Sequence, residues 1–260
     1  MIRSHVPRKR FGQHFLRDAD VIRRIVQTIG PEPEHSMVEI GPGLGALTVP
    51  LLKRLERLQV VELDRDVIPP LQAVCAPFGD LRVHQVDALT VNFSQLRVDD
   101  RPLRLVGNLP YNISTPLLFH LLNYAASIQD MYFMLQKEVV ERMSASPGDS
   151  TYGRLSVMLQ YRCDVLALFA VGPGAFQPPP KVASAFVRLV PHRRPPVEVH
   201  DEARFAEVVR QAFSQRRKTL RNALRPLLSA QQIEAAGIDP SVRPQTLTIK
   251  EFAVLSNLSG

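Results

Sequence analysis

The chain has 260 residues, of which 45% are hydrophobic, 22% charged and 7% aromatic, the proportions of a globular protein that buries a core. They exclude a peptide-sized or fibrous protein, and wholesale disorder is not expected. No stretch approaches the about 18 uncharged apolar residues of a membrane helix, and the basic N-terminus lacks the apolar stretch of a signal peptide. We therefore expect a cytoplasmic protein.

The net charge of +7 is unevenly spread along the chain. Residues 1–24 contain seven basic and two acidic groups, residues 25–180 contain 12 and 16, and residues 181–260 contain 13 and 7. Basic ends around an acidic centre are expected if the centre binds a small cationic or neutral ligand while the ends hold phosphates. A well-solvated surface is the alternative.

The two cysteines, Cys75 and Cys163, lie far apart and lack the spacing of metal ligands or of a redox pair. They predict neither a disulfide framework nor a metal site. We expect both thiols to lie in the core.

Short apolar or β-branched runs alternate with helical patterns over most of the chain. The runs predict seven strands, at 37–40, 58–63, 81–86, 103–108, 130–136, 163–171 and 183–190. Apolar residues at helical spacing predict helices between them, at 45–57, 66–76, 115–126 and 137–145. This alternation predicts an α/β fold with a mostly parallel, doubly wound sheet, in which ligands bind beyond the carboxyl ends of the strands.

A proline- and arginine-rich segment, PHRRPP at 191–196, ends the alternating pattern. The residues beyond it carry one apolar stripe at helical spacing, formed by Phe205, Val209, Phe213, Leu220 and Leu224. We therefore predict a ligand-binding domain over residues 1–192 and a small C-terminal helical domain over residues 193–260.

The first predicted strand ends in VEIGPGLGALT, where Gly41, Gly43 and Gly45 open a helix. Glycines let the backbone approach a ligand closely, and a helix N-terminus offers free N–H groups. Glu62 follows Gly41 by 21 residues, at the end of the second strand, and suits a carboxylate that accepts from ribose hydroxyls. The same glycines with Ala46 also fit a dinucleotide fingerprint, and tight turns without a ligand are a further alternative.

Acidic residues follow three successive strands at the same edge of the predicted sheet, namely Glu39, Glu62 and Asp87. They suit a nucleoside that carries a positive centre, whereas a pyrophosphate would be repelled. The alternative for Asp87 is that its side chain only caps the next helix.

The fourth strand ends in GNLPYNIS at 107–114, the most specific motif of the chain. The side-chain oxygen of Asn108 and the carbonyl of Leu109 can each accept one N–H of an adenine amine and direct its lone pair at an electrophilic methyl. Pro110 makes the turn rigid, and Tyr111 can stack on the base. A turn without function is the alternative.

These motifs, together with KRFGQHFL at 9–16 and AFQPPPKVASAFVRL at 175–189, resemble the small-subunit rRNA adenine N6,N6-dimethyltransferase family over nearly the whole chain. The resemblance implies a Rossmann-like seven-stranded methyltransferase sheet over residues 1–192, with an N-terminal lid, and an rRNA-binding helical domain over residues 193–260. It further implies a monomeric enzyme of ribosome biogenesis. Two methyls would pass from S-adenosylmethionine to N6 of each of two adjacent adenosines, in the 3′-terminal hairpin loop of rRNA within the assembling small subunit.

The resemblance also assigns residues to the cofactor and to catalysis. The cofactor residues would be Gln13, His14, Leu16, Gly41, Gly43, Glu62, Leu63, Asp87, Ala88 and Asn108. The catalytic residues would be Asn108, Leu109, Pro110, Tyr111 and Phe176, with Tyr111 and Phe176 on either side of a flipped adenine. Many relatives have Asn at the position of His14, so a backbone contact would survive there where a side-chain contact need not. A surface histidine, and a core phenylalanine at position 176, are the alternatives.

Basic residues are the candidates for rRNA contacts, in three groups. They are Arg8, Lys9 and Arg10 near the N-terminus, Lys181 in the proline-rich loop, and Arg210, Arg217 and Arg221 in the helical tail. The last three lie in a line apart from the apolar stripe, and relatives carry a similar basic stretch there. A solvated helix face is the alternative.

Three other functions compete with this interpretation. Large-subunit rRNA adenine methylases of the macrolide-resistance type share the fold and the Asn-x-Pro-aromatic turn, although NLPYNIS and QPPPKVAS favour the small-subunit branch. A non-catalytic ribosome assembly or transcription factor would not need the intact turn from Asn108 to Tyr111. Asp87, that turn and the basic tail disfavour a dinucleotide-dependent oxidoreductase.

Overall fold

The computed structural model describes residues 14–215 and 217–258. Contacts between Cα atoms divide them into two compact units. The first holds residues 14–140 and Leu166–Pro191, and the second holds Glu141–Val165 and residues 192–258. The predicted boundary after residue 192 falls beside this junction, and the prediction differs from the contacts in residues 141–165. Val157 and Tyr161 explain the difference, because they pack in the hydrophobic core of the second unit.

The first unit is built on a seven-stranded sheet, and a two-stranded sheet accompanies it. The strands are β1 (Phe15–Leu16), β2 (Ser36–Ile40), β3 (Arg57–Glu62), β4 (Asp80–Gln85), β5 (Leu103–Asn108), β6 (Ile128–Gln136), β7 (Cys163–Val171), β8 (Phe176–Gln177) and β9 (Ser184–Pro191). All seven predicted strands are confirmed and form the large sheet, in the order β4-β3-β2-β5-β6-β9-β7. Strands β2 to β6 pair in parallel, whereas β9 runs antiparallel to β6.

Helices follow the strands as the apolar spacing predicts. They are α1 (Ala19–Ile29), α2 (Thr48–Leu55), α3 (Ile68–Cys75), α4 (Ser114–Leu122) and α5 (Lys137–Ser144). Helix α1 begins where the carboxylate of Asp18 accepts hydrogen bonds from the amides of Asp20 and Val21, and it ends at Gly30 in the left-handed conformation. The short 3-10 helices are Phe93–Leu96, Ala125–Ser127 and Pro173–Ala175.

The core of the first unit lies on both faces of the sheet. Strand residues such as Val38, Val60, Leu105 and Phe133 are completely buried. The thiols of Cys75 and Cys163 are free and buried, which confirms the prediction of core cysteines. Such two-sided burial is expected of a parallel sheet covered by helices.

A buried ion pair joins β5 to β6 near the amino ends of the strands. The guanidinium of Arg104 donates to both carboxylate oxygens of Asp130, at 2.8 and 3.0 Å, and to the carbonyl of Ile29 at 2.9 Å. Both charged side chains are almost completely buried. The pair therefore fixes the register of two central strands from the edge opposite Asn108.

The second unit is helical and has its own core. Its helices are α6 (Arg154–Arg162), α7 (Glu202–Ala212), α8 (Leu220–Leu224), α9 (Ala230–Ala235) and α10 (Ile249–Asn257), with 3-10 turns at Phe213–Gln215 and Pro244–Thr246. The predicted apolar stripe packs in this core, where four of its residues are buried and Phe213 is half-buried. No helix of residues 14–215 and 217–258 has the length and apolar character needed to cross a membrane.

Candidate active site

A cavity of about 590 Å³ opens beyond the carboxyl ends of β2, β3 and β5, where a doubly wound sheet binds its ligands. It brings together twelve of the residues that the sequence assigns to cofactor or catalysis. They are His14, Leu16, Gly41, Gly43, Glu62, Leu63, Asp87, Ala88, Asn108, Leu109, Pro110 and Tyr111. Gln13 lies outside the described residues, and Phe176 does not line the cavity.

The glycine turn after β2 forms one wall of the cavity. Gly41 and Gly43 have φ angles of 69° and 52°, in the left-handed region that favours glycine. A Cβ atom on Gly43 would lie 2.9 Å from Cε1 of Phe15, so a side chain there would push against the segment that contains β1. The turn thus needs glycine for its conformation and for close approach.

The carboxylate of Glu62 is held at the end of β3 by backbone amides. Its Oε1 accepts from the amide of Asp64 at 2.8 Å, and its Oε2 lies 3.4 Å from the amide nitrogen of Gly43. Burial raises the pKa of Glu62, and these amide hydrogen bonds oppose the rise. The side chain is therefore fixed beside the cavity, in a position suited to accept from hydroxyl groups.

A second carboxylate beside the cavity is completely buried. Glu39 ends β2 one residue before the turn, and its Oε2 has no hydrogen-bond partner among the described residues. Desolvation raises the pKa of Glu39 to about 8; the Thr48 hydroxyl opposes this rise, and the carboxylate of Glu62 adds to it. Sequence analysis grouped Glu39 with the acidic edge but gave it no role. An unpaired buried carboxyl that lines a cavity suits a cationic ligand.

Asp87 lies at the cavity after β4 and also stabilises its own turn. Its Oδ1 accepts from the amide of Leu89 at 2.9 Å, and its backbone carbonyl accepts from the amide of Thr90. The capping alternative and the ligand-binding hypothesis are compatible, because a carboxylate has more acceptor positions than one amide uses.

Asn108 ends β5, and its side-chain amide has a defined orientation. Its Nδ2 donates to the backbone carbonyl of His14 at 2.8 Å. A carbonyl oxygen only accepts, so the nitrogen of the amide must be the atom that faces His14. Oδ1 is then the acceptor available on the other side, as the amine-directing chemistry requires. The next residue, Leu109, is anchored by its amide to the carbonyl of Met134 at 3.2 Å.

Tyr111 lines the cavity as a half-buried ring held at two places. Its Oη lies 2.8 Å from Oγ of Ser184, and its ring centroid lies 5.7 Å from that of the His14 imidazole. Burial raises the pKa of Tyr111, and the hydrogen bond to Ser184 opposes the rise, so the phenol is neutral at physiological pH. Sequence analysis missed Ser184; the one signal was a hydroxyl at the start of an otherwise apolar strand.

The segment from His14 to Arg17 is attached to the loop that precedes β9. Strand β1 pairs antiparallel with β8, and the amide of Arg17 donates to the carbonyl of Ala175 at 2.8 Å. Nδ1 of His14 lies 2.8 Å from the carbonyl oxygen of Pro178. His14 therefore uses its backbone toward Asn108 and its side chain toward the proline-rich loop.

Phe176 is not beside Tyr111 in the cavity. Its side chain is 3% exposed and packs in the hydrophobic core of the first unit, as the core alternative anticipates. Pairing of β8 with β1 holds it there. Its role in a base sandwich stays a prediction.

The candidate RNA contacts are placed as follows. Lys181 is exposed in the first unit, and Arg210, Arg217 and Arg221 are exposed in the second. Nη2 of Arg210 lies 4.0 Å from Oε1 of Glu207, and the charge of Arg221 helps to lower the pKa of Asp239, after the hydrogen bonds from Ser241. Arg8, Lys9 and Arg10 lie outside the described residues.

Known proteins resemble the chain over almost its whole length. The family model described as ribosomal RNA adenine dimethylase matches residues 4–259. A protein of Marinobacter nauticus named ribosomal RNA small subunit methyltransferase A is 56% identical over 255 residues, which are 98% of this chain and 92% of the relative. A protein of the same name from Pseudomonas putida is 56% identical over 254 residues, 98% of this chain and 95% of the relative.

Solved structures agree. A dimethyladenosine transferase from Plasmodium falciparum has a TM-score of 0.79 at 25% identity, covering 93% of this chain and 96% of its own. The 23S rRNA methyltransferase ErmE has a TM-score of 0.73 at 25% identity, covering 94% and 98%. These agreements in fold and the match of the family model over nearly every residue lead to one conclusion: the chain belongs to the ribosomal RNA adenine dimethylase family.

Proposed function

We propose that this protein dimethylates N6 of two adjacent adenosines in the 3′-terminal hairpin loop of small-subunit rRNA, with S-adenosylmethionine as the methyl donor. The observation that carries the proposal is the orientation of Asn108, whose Nδ2 is bound to His14 and whose Oδ1 is left to accept. The relatives at 56% identity, both named small-subunit methyltransferases, support the choice of rRNA.

The residues around the cavity fit this cofactor. A volume of about 590 Å³ is in the range of small-molecule sites. The unpaired Oε2 of Glu39 suits the positive charges of S-adenosylmethionine, Glu62 suits its ribose hydroxyls, and Asp87 with its apolar neighbours suits its adenine. When bound, the cofactor supplies a methyl group on a sulfonium, which needs no further activation by the protein.

The chain's own task is to make the adenine amine a nucleophile. Oδ1 of Asn108 and the carbonyl oxygen of Leu109 each accept one N–H, which turns the nitrogen lone pair toward the methyl. Pro110 keeps these two acceptors in a fixed relation, since its ring removes one backbone freedom. A strong base is not needed, because the amine proton becomes acidic only after the methyl has been transferred.

Tyr111 supplies a stacking face for the target base, and neutral phenol suits this task. The proposal that Phe176 supplies the second face requires its ring to leave the core when RNA binds. Lys181, Arg210, Arg217, Arg221 and the basic group at residues 8–10 would contact phosphates. We further propose that the partner is rRNA within the assembling small subunit and that the protein acts as a monomer.

Methylation of large-subunit rRNA is the second candidate, favoured by the structural similarity to ErmE over 94% of the chain. One experiment separates the two. Labelled S-adenosylmethionine is incubated with the protein and undermethylated small subunits, large subunits or protein-free rRNA, and the nucleosides are analysed by mass spectrometry. Dimethyladenosine in small subunits is the expected result. Its appearance only in large-subunit RNA would establish the second candidate, and tight binding without transfer would indicate an assembly factor.

A further inference from the structure

We propose that Ser184 is a positioning residue, which fixes the plane of the Tyr111 ring before the target adenine arrives. The inference rests on the proposed function, in which that ring stacks on the base. It gives a role to a fully buried hydroxyl that lies outside the cavity and touches neither cofactor nor substrate.

The position of the Ser184 hydroxyl is set by the sheet. Ser184 is the first residue of β9, and its Cα is paired with that of Gln136 at the end of β6. Next to it, the carbonyl of Ala183 accepts from the amide of Lys137 at 2.9 Å. The backbone on which the hydroxyl stands is therefore held on the same edge strand pair that ends beside the cavity.

The hydroxyl pair fixes the tip of the Tyr111 ring. Oη is the atom of the side chain farthest from the backbone, so a hydrogen bond of 2.8 Å to a fixed partner restrains rotation about both χ1 and χ2. The His14 ring, tilted by 32° to that of Tyr111, packs against it as a second restraint. A phenylalanine would supply the same π-face without this anchor.

A fixed ring matters for the chemical step more than for binding. Stacking directs the amine at Asn108 only if the plane of the base is right, and a small error in that plane moves the nitrogen away from the attack line. Affinity for the ribosomal subunit, in contrast, comes largely from phosphate contacts. Loss of the hydrogen bond should therefore lower kcat and leave KM for the subunit nearly unchanged.

The test compares Ser184→Ala, Tyr111→Phe and the double variant in methyl transfer to small subunits. We expect each single variant to lower kcat about tenfold with KM changed less than twofold. The double variant should be no slower than either single one, because all three lose the same hydrogen bond. Ser127→Ala, which breaks another buried serine hydroxyl pair of 2.9 Å in the first unit, is the matched control and should retain kcat.

Tyr111→Phe keeps the test valid if Ser184→Ala fails to fold, since it removes the same bond with little change in volume. Unchanged kcat in Tyr111→Phe, or losses that multiply in the double variant, would overturn the role of Ser184. The unsubstituted protein, assayed alongside, tests the proposed function separately. If it transfers methyls normally while the variants do so as well, only the inference about Ser184 falls; if it transfers none, both proposals fall.

Discussion

At the scale of single residues, one hydrogen bond decides which end of an amide meets the substrate. The carbonyl of His14 takes the nitrogen of Asn108, and this leaves an oxygen for the amine. Many relatives have Asn where this chain has His14, and a backbone carbonyl performs the same task in either case. The sequence alone predicted the roles of Asn108, but not the contact that orients it.

Asn108→Asp tests this orientation with almost no change in shape. The carboxylate cannot donate to the His14 carbonyl and would face it with a negative charge, so the side chain should turn away. We expect methyl transfer to small subunits to fall about 100-fold or more, a loss typical of removing one oriented polar group. Asn123→Asp, an exposed change of the same charge at the end of α4, should retain full activity. A variant Asn108→Asp with normal turnover would contradict the assignment.

The buried carboxyl of Glu39 predicts a pH dependence of cofactor binding. Its pKa of about 8 means that the group is mostly protonated at pH 6, whereas a cationic ligand favours the carboxylate. Affinity for S-adenosylmethionine should therefore rise with pH up to about 8, by at most about tenfold per pH unit, and level off above it. Titration calorimetry from pH 6 to pH 9 measures this.

Glu39→Gln is the control for that dependence, since it retains the shape and cannot ionise. Its affinity should be lower at pH 8, and the part of the pH dependence that belongs to Glu39 should vanish. Any titration of the cofactor itself remains in both proteins and cancels in the comparison. Identical profiles for the two proteins would remove Glu39 from the cofactor site.

At the scale of elements, the seven strands of the large sheet follow from local patterns, and the two short strands do not. Strands such as β3 and β6 are apolar runs between turn residues, which sequence analysis detects. Strands β1 and β8 have two residues each and pair across most of the chain, so they have no periodicity to detect. The membership of residues 141–165 escaped for a similar reason, because an apolar helix face does not indicate which core will cover it.

The buried pair of Arg104 and Asp130 predicts a large loss of stability when only one partner is removed. Arg104→Met would leave a buried carboxylate without its two strongest hydrogen bonds. We expect the free energy of unfolding to fall by about 3–5 kcal/mol. The double variant with Asp130→Leu should recover most of the loss, because no unpaired charge remains. Denaturant unfolding measures all three proteins; a loss below about 1 kcal/mol in Arg104→Met would contradict the prediction.

At the scale of the whole molecule, the two units divide the expected tasks. The cavity and every described cofactor residue belong to the first unit, while the exposed basic group Arg210, Arg217 and Arg221 belongs to the second. Composition indicated this division, since the acidic centre and the basic C-terminal part of the sequence differ in net charge. It did not reveal that residues between two strands of the sheet join the second unit.

The basic group of the second unit predicts a change in the salt dependence of subunit binding. If Arg217 and Arg221 each contact one phosphate, replacing both with Ala should make the slope of log K against log salt concentration less steep by about 1.4–1.8. The control Arg243→Ala with Lys250→Ala removes the same charge from exposed positions of the same unit and should leave the slope unchanged. Because counterion release depends on local phosphate contacts, net charge alone cannot separate the two pairs. Equal slopes in both double variants would assign Arg217 and Arg221 to a solvated helix face.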